Sequence, residues 1–530
     1  MGLSRPMDIS AMHIDGTTSP ENTLPVFSAE PWVWVLWQVA GGGNCDLSQY
    51  PHVVTSEMLS ELLAVIPQNG RGWRVLQDAN FSSVTFASGT VFEKVIFAGR
   101  ADFSQAIFGA EGGFEQVRFE NKADFNDAVF ADQAVFARTV FWDGTSFEGV
   151  RFGKGTSFDD VSFGNGTSFN GAVFEDGIGF FDTTFEDGTS FFSASFGDGV
   201  LFFGAVFGNG ADFSGVKFGR NARLLETSFE NGTSFFAASF GENTSFEETS
   251  FAAGTSFREA LFDTGARFRW NRFENGADFT AVRCEDLVFE GRTKEETGLL
   301  QLSSLSGMDL GQVVLCQVDV QTCRFIGAKN LDRLSLSGKV VLPGAHKRRA
   351  FLFDEMEWRR KTRFFRFFLG LVLPLSPSFL FPRWREDAVE IGTLYRELRK
   401  GQEEALNEVL AADFYYGEME MRRWSAAWGT RFVTTFYWLL SGYGVRPLRA
   451  CVALVCFWLS GALLLQNWGF VESHSFTDAW TIAVSATVYL VDFETEELTI
   501  QGRNMLAGLR LLGPVACLLV ALALRGRVKR

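Results

Sequence analysis

Residues 158–196 read FDDVSFGNGTSFNGAVFEDGIGFFDTTFEDGTSFFSASF, and in that stretch Phe returns after five residues, then six, then five again. Extended both ways, the register runs unbroken from Phe81 to Phe279. Of the 38 slots between 81 and 284, Phe fills 36; Leu224 and Cys284 take the other two. Two residues before each slot stands a small or β-branched residue, Ala in 15 cases, Thr in 12 and Val in 8. A helix repeats every 3.6 residues and a long strand every two, so neither carries this period. Short extended segments joined by tight turns do, with the slot and the residue two before it facing inward and the rest facing water. Stacked coils then set each Phe on the Phe of the coil before, beside columns of Ala, Thr and Val. In the six-residue gaps Gly stands three before the later Phe in 12 cases, Gly144, Gly155 and Gly166 among them, with Asn221 and Asn243 in two more. A corner that demands φ > 0 selects those residues.

Runs such as AVFEDGIGF (172–180), GTSFFSASF (188–196) and ADFSGVKF (211–218) resemble the pentapeptide-repeat family, in its Phe-centred variant of alternating five and six. The resemblance implies a mainly β fold, a right-handed quadrilateral β-helix with four short sides and 22 residues per coil. Residues 81–284 then make about nine coils, a rod on the order of 45 Å long at roughly 4.8 Å per coil.

The rod needs ends, because open strand edges must be covered. Residues 1–29 are expected to be a flexible N-terminus. Residues 30–80 read as a cap, with the apolar WVWVLWQVA (32–40) and a short amphipathic helix in TSEMLSELLAVI (55–66). Nine apolar residues are too few to span a bilayer. After the repeat of 81–290, GRTKEETG (291–298) reads as an exposed loop. A second pentapeptide-like segment then occupies 299–345, where Leu300, Leu305, Leu310, Leu315, Val320 and Phe325 keep a five-residue period.

The remaining chain changes character. Residues 81–290 hold 31 acidic and 15 basic residues, whereas 291–530 hold 24 and 30. Basic residues alternate with apolar ones in 347–384, the pattern of a membrane-surface segment interrupted by Pro374 and Pro377. The whole of 346–430 reads as an amphipathic, basic helical neck. In 387–423 of it Val389, Leu394, Leu398, Leu406, Val409 and Leu410 recur at helical spacing. Residues 431–530 read as a membrane region with spans at 448–468 and 505–524 and a possible re-entrant helix at 479–491. Arg422, Arg423, Arg431, Arg446 and Arg449 precede the first span, and Arg525, Arg527, Lys529 and Arg530 follow the second. The loop between is acidic, with Glu472, Asp478, Asp492, Glu494, Glu496 and Glu497. By the positive-inside rule both termini and the rod face the cytoplasm. The stretches 391–423, 437–450 and 509–530 are similar to bacterial pentapeptide-repeat membrane proteins in the order rod, helical neck, two-span tail. That resemblance implies a bacterial plasma membrane as the home and no defined activity.

Composition narrows the function further. The chain of 530 residues carries 63 acidic and 48 basic residues, a formal charge of −15, so direct nucleic-acid binding through phosphates is not expected. Seven Cys stand without a CxxC pair and four His without an HExxH motif, so neither a metal site nor a disulfide framework is expected, and a reducing compartment is. The first residues, MGLSRPMDIS, lack the features of a secretory signal. No catalytic motif stands out; no cofactor and no enzyme activity are expected.

Three readings remain. The first is a membrane-anchored scaffold whose acidic rod binds a protein partner, or a second copy of itself. The second is a channel-like two-span protein, against which TVYLVDF offers no carbonyl filter and SGYG (441–444) is followed at once by Arg446. The third is a DNA-mimicking inhibitor of a DNA-binding enzyme. For the first, one column supplies a candidate patch. The residue after the first Phe of each period is mostly polar, but it turns apolar at Phe181, Phe192, Phe203, Leu225 and Phe236. With 22 residues per coil, Phe181, Phe203 and Leu225 share one side, and Phe192 and Phe236 the opposite one.

Overall fold

Every 22 residues the chain returns to the same side of a four-sided coil, and each side is a parallel ladder in which Phe faces Phe. In the computed structural model the described residues are 31–40, 45–50, 52–292, 299–342, 351–372, 382–472, 474–488 and 498–528. The expected flexible segment 1–29, most of the loop 291–298, Pro374 and Pro377, and the acidic loop over 489–497 lie outside them.

The four sides are led by Phe81, Phe86, Phe92 and Phe97, and together they make a parallel β-solenoid of about twelve turns. Along a side the rings stack almost flat: Phe180 and Phe202 are 4.5 Å apart and 2° from parallel. Across the core they meet edge to face, as Phe141 and Phe147 do at 5.1 Å and 83°. Both are the arrangements that aromatic quadrupoles prefer. The residue two before each Phe is buried beside it, and where it is Thr a backbone carbonyl takes its hydroxyl proton, except at Thr90, whose buried Oγ1 has no partner among the described residues. Thr139 Oγ1 donates to the Phe114 carbonyl at 3.1 Å, and Thr156 Oγ1 to that of Gly153 at 2.8 Å. Elsewhere in the column Thr alternates with Ala and Val without leaving an unpaired buried hydroxyl.

The corners differ from expectation in one respect. The glycine corners have φ > 0, as at Gly144 (68°) and Gly166 (65°). The five-residue corners have it too, two residues after the Phe, and there it falls on Ser83, Lys94, Asp127 and even Trp270. In both kinds an i→i+3 hydrogen bond closes the turn, Thr90 N to the Ala87 carbonyl and Ala106 N to that of Phe103. The φ > 0 at the third residue is the type II pattern. The backbone at these corners bonds onward to the next coil, Gly144 N to Asn165 O at 2.7 Å and Gln105 N to Asn126 O at 2.8 Å. That coil-to-coil bond helps offset the strain of φ > 0 in a residue with a Cβ.

Helix α1 (Pro31–Ala40) and helix α2 (Ser56–Val65) close the N-terminal end. Thr55 caps α2 by accepting from Met58 N at 3.3 Å. Trp32, Val35, Val39, Leu59 and Leu62 turn inward. Beyond the loop at 291–298 the ladder does not restart as a separate body. Phe289 pairs with Leu315, and Leu315 with Leu336, on the side that carries Phe180 and Phe268. Leu300, Leu305, Leu310, Leu315, Val320 and Phe325 are all buried.

Among the described residues seven helices follow: α3 (Phe353–Val372), α4 (Pro382–Glu404), α5 (Glu408–Ser425), α6 (Trp428–Ser441), α7 (Pro447–Trp468), α8 (Phe476–Val488) and α9 (Ile500–Val528). Two sequence expectations are corrected here. The start of α3 is not a membrane-surface segment: Asp354, Glu355, Trp358 and Thr362 are buried between the rod end and the neck. The buried stripe of α4 is Ala388, Ile391, Leu394, Tyr395 and Leu398, whereas Val389 and Val409 face out and Leu406 sits exposed in the α4–α5 turn. Helical spacing alone does not distinguish Val389 from Ala388; burying the smaller residue lets α4 approach its neighbours closely.

Candidate functional site

On the side led by Phe92, the outward positions are the residues just before and after each core Phe. Those after it are mostly polar, which is what a rod in water needs. At 181, 203 and 225 they are not. Phe181, Phe203 and Leu225 occupy adjacent rungs in register, and the rings of Phe181 and Phe203 lie 6.5 Å apart. Gly179 makes room: a Cβ there would come within 2.5 Å of the Phe181 ring, which lies over the bare backbone. Phe181 and Phe203 remain 38% and 37% exposed, too much for core side chains. The patch ends at Glu247, the next rung after Leu225. On the opposite side Phe192 and Phe236 are also exposed, but Ser214 stands on the rung between them and donates to, or accepts from, Ser234 at 3.0 Å. Three of the five candidate residues are thus brought together, and two stand singly.

Many of the rod's carboxylates have a structural task that composition does not reveal. At the glycine corners the side chain of Asp132 accepts from Lys154 N at 2.9 Å, that of Asp176 from Asp198 N at 3.0 Å and that of Asp198 from Arg220 N at 2.7 Å. A second corner column repeats this through Asp143, Asn165, Asp187 and Asn209. These acids bind backbone amides one coil away.

The second notable site joins the rod to the helices. Asp354, at the start of α3, accepts from Phe325 N of the last coils at 2.9 Å, and Glu397 of α4 accepts from Leu331 N at 3.3 Å. Burial raises the Asp354 carboxyl to about 6. Behind them runs a buried polar chain. Tyr395 donates to Glu355, whose other oxygen accepts from Arg359 Nε at 2.6 Å. Arg359 reaches Glu420 at 3.1 Å, and Glu420 also takes Arg423 at 3.1 Å and the Tyr443 hydroxyl at 3.1 Å. Burial alone would make the Arg359 guanidinium easier to deprotonate, but Glu355 and Glu420 more than reverse that and hold it above its usual range. Burial, with Glu420 beside it, likewise keeps the Tyr443 phenol neutral.

Tyr443 lies in the SGYG turn. Gly442, Tyr443 and Gly444 all have φ > 0, which reverses the chain between α6 and α7. One unbroken set of contacts thus links the last coil through α3, α4 and α5 to the turn that starts α7. Sequence reading missed it. The Glu355–Arg359 spacing of four was visible, but it reads as a surface pair until the burial is known.

Helices α7 and α9 are long and apolar enough to cross a membrane, and only 22% and 17% of their apolar windows are buried. Helix α8 packs between them through Ala479, Ile482, Ala483 and Ala486, and Gly461 lies within reach of Leu509 and Ala483. Among the described residues no group of three or more His, Cys, Asp or Glu side chains is placed to hold a metal ion.

Compared with known families, residues 114–162 match the one described as pentapeptide repeats (9 copies). No curated protein and no solved structure matches the chain.

Proposed function

Pentapeptide repeats build the rod, and from that premise we propose that the protein is a membrane-anchored scaffold whose rod binds a partner protein through the patch of Phe181, Phe203 and Leu225. The observation that carries the reading is that patch, contiguous on a rod whose other outward columns are largely polar. Contiguous exposed apolar surface marks contact with another molecule. Six rungs separate Phe203 from Ser337 at the neck end, roughly 29 Å at the spacing of stacked strands, which favours a protein over the lipid surface as occupant. In this reading α7 and α9 cross the membrane with the rod on the cytoplasmic side, as the arginine flanks and the acidic loop favour.

Two experiments test it. Changing Phe181, Phe203 and Leu225 together to Ser leaves the thermal transition of the rod unchanged and abolishes capture of the partner, or of a second copy, by the full-length protein. A loss of folding instead places those side chains in the core and ends the proposal. A cysteine placed at 494–500 reacts with an impermeant thiol reagent from outside intact cells, and one placed at 100 does not; the reverse pattern inverts the topology.

A second reading has its own support. Helix α8 packs on both span candidates, and its described part, about 20 Å at 1.5 Å per residue, is shorter than a span needs. That makes a three-segment membrane unit of channel-like order. Ion flux through liposomes holding the full-length protein would favour it.

A further inference from the structure

Helix α6 carries a face that the described residues leave uncovered. Phe432, Val433, Phe436 and Leu439 are each more than half exposed, and their spacing of one, three and three places them on one stripe. The opposite face is spent on the neck: Thr434 and Ser441 are buried, and Trp438 Nε1 donates to the Tyr416 hydroxyl at 2.9 Å. Four large apolar side chains in water on a single short helix are costly, at 25 cal/mol or so per Å².

What surrounds the stripe identifies its occupant. Helix α6 packs against both α7 and α9. On α7, which α6 packs against, the exposed residues Leu448, Val452, Val455 and Leu459 repeat at three and four and form an apolar stripe of their own. Beside it stand cations held by rings. Arg431 lies 4.8 Å from the centre of the Trp424 ring, Arg446 4.9 Å from that of Tyr416, and Arg449 5.1 Å from that of Trp438. Among the described residues none of these three makes a salt bridge to a carboxylate. Exposed Arg422 ends the preceding helix. An apolar stripe rimmed by arginines, Trp and Tyr has the chemistry of the boundary between headgroups and acyl chains.

We propose that α6 lies in the plane of the membrane interface, with Phe432, Val433, Phe436 and Leu439 inserted among the lipids and Arg422, Arg431, Arg446 and Arg449 facing the phosphates of anionic phospholipid. The inference rests on the reading that α7 and α9 span the bilayer. A second copy of the chain is the competing occupant. The arginine rim favours lipid, because two copies would bring like charges together, whereas an anionic leaflet complements them.

The test uses the full-length protein reconstituted in vesicles of phosphatidylcholine alone or with three parts in ten phosphatidylglycerol. The photoreactive benzoylphenylalanine replaces Phe436 in one preparation, Val455 in a second and Asp160 in a third. The expected result is lipid adducts at 436 and 455 and none at 160, with the yield at 436 rising several-fold when phosphatidylglycerol is present. Arg422→Gln with Arg431→Gln removes that rise and leaves the adduct at 455. Adducts between two protein chains at 436 overturn the proposal in favour of a second copy. Lipid adducts at 455 without any at 436 overturn it while leaving the spans in place. Absence at both positions refutes the spans themselves, and the proposal with them. An equal yield at 436 in both vesicles removes the anionic part of the claim.

Discussion

The rod and the neck solve the same problem, holding a chain in one conformation, by opposite means. In the rod each rung repeats its neighbours: Phe163 does for its coil what Phe185 does for the next, and their rings stack at 5.0 Å. Stability is spread over many near-identical interfaces, as in other solenoids. In the neck nothing repeats. Glu420 alone receives Arg359, Arg423 and Tyr443. A repeated structure tolerates the loss of a unit, whereas a unique buried network tolerates no loss of a member. The rod is therefore suited to display, and the neck to fixing the rod's position on the apolar C-terminal helices.

The widest separation between the two regions is expected from deletions. Removing residues 158–179, one whole coil, returns every later Phe to its own side, so the thermal transition stays near that of the parent. Removing 158–162 turns all later sides by one corner and puts glycine corners against five-residue ones, and the transition falls or disappears. Equal transitions for the two would refute a four-sided coil. No coil-sized deletion in the neck has a tolerated counterpart.

Point changes come next. Phe169→Ala in mid-rod costs about 3–5 kcal/mol, the usual penalty for an emptied aromatic core site, measured by urea unfolding of the full chain in detergent. Glu420→Ala costs about 3–5 kcal/mol as well, since it leaves buried Arg423 without its carboxylate and takes from Arg359 one of its two. The two differ in where the damage shows. Hydrogen exchange quickens in the coils around 169 for the first variant. For the second it quickens across α3, α4 and α5 and spares the rod. Spread of the second effect along the rod would mean that the regions are not separable.

A smaller effect comes from pH. The folded Asp354 carboxyl titrates at about 6, above the 3.8 of a free one, so the folded neck holds a proton that the unfolded chain releases. Its contribution is therefore fully present below about pH 4 and is lost as pH rises through 6, by about 2–3 kcal/mol for a shift of this size. Asp354→Asn keeps an oxygen for Phe325 N and removes the titration. The stability of the parent relative to this variant should fall between pH 4 and 7; a difference that stays flat would place Asp354 in solvent. The smallest effect expected on stability is that of the Ser triple at 181, 203 and 225, within about 0.5 kcal/mol as for ordinary surface changes.

How much of this was readable in advance follows the same divide. The Phe period and the small residues two before each slot announced the coil, because a repeated constraint writes itself repeatedly. The five-residue corners stayed hidden. At many of them φ > 0 falls on residues such as Lys94, Gln105 and Trp270, which carry no turn signal, because the onward bond to the next coil holds them there. Acidity along the rod read as a charged surface, although Asp132, Asp176 and Asp198 spend an oxygen on backbone amides. The exposed ring of Phe181 was visible in its column, but the way it lies over Gly179 was not. The neck was the least legible. Glu355, Arg359, Glu420 and Arg423 are scattered over 69 positions in helices whose composition resembles a solvated surface, and only the packing of those helices buries Glu355, Glu420 and Arg423 and half-buries Arg359.

The direction of the ladder bonds has a mechanical consequence. In a parallel solenoid every rung is tied to the next by hydrogen bonds that point along the long axis. A pull between the patch at Phe181 and Phe203 and the apolar C-terminal helices loads those bonds head-on, one rung after another, rather than many at once in shear. The rod would therefore peel coil by coil under tension and lengthen by the slack of 22 residues each time, acting less as a tow-bar than as a fuse that yields before the anchor does.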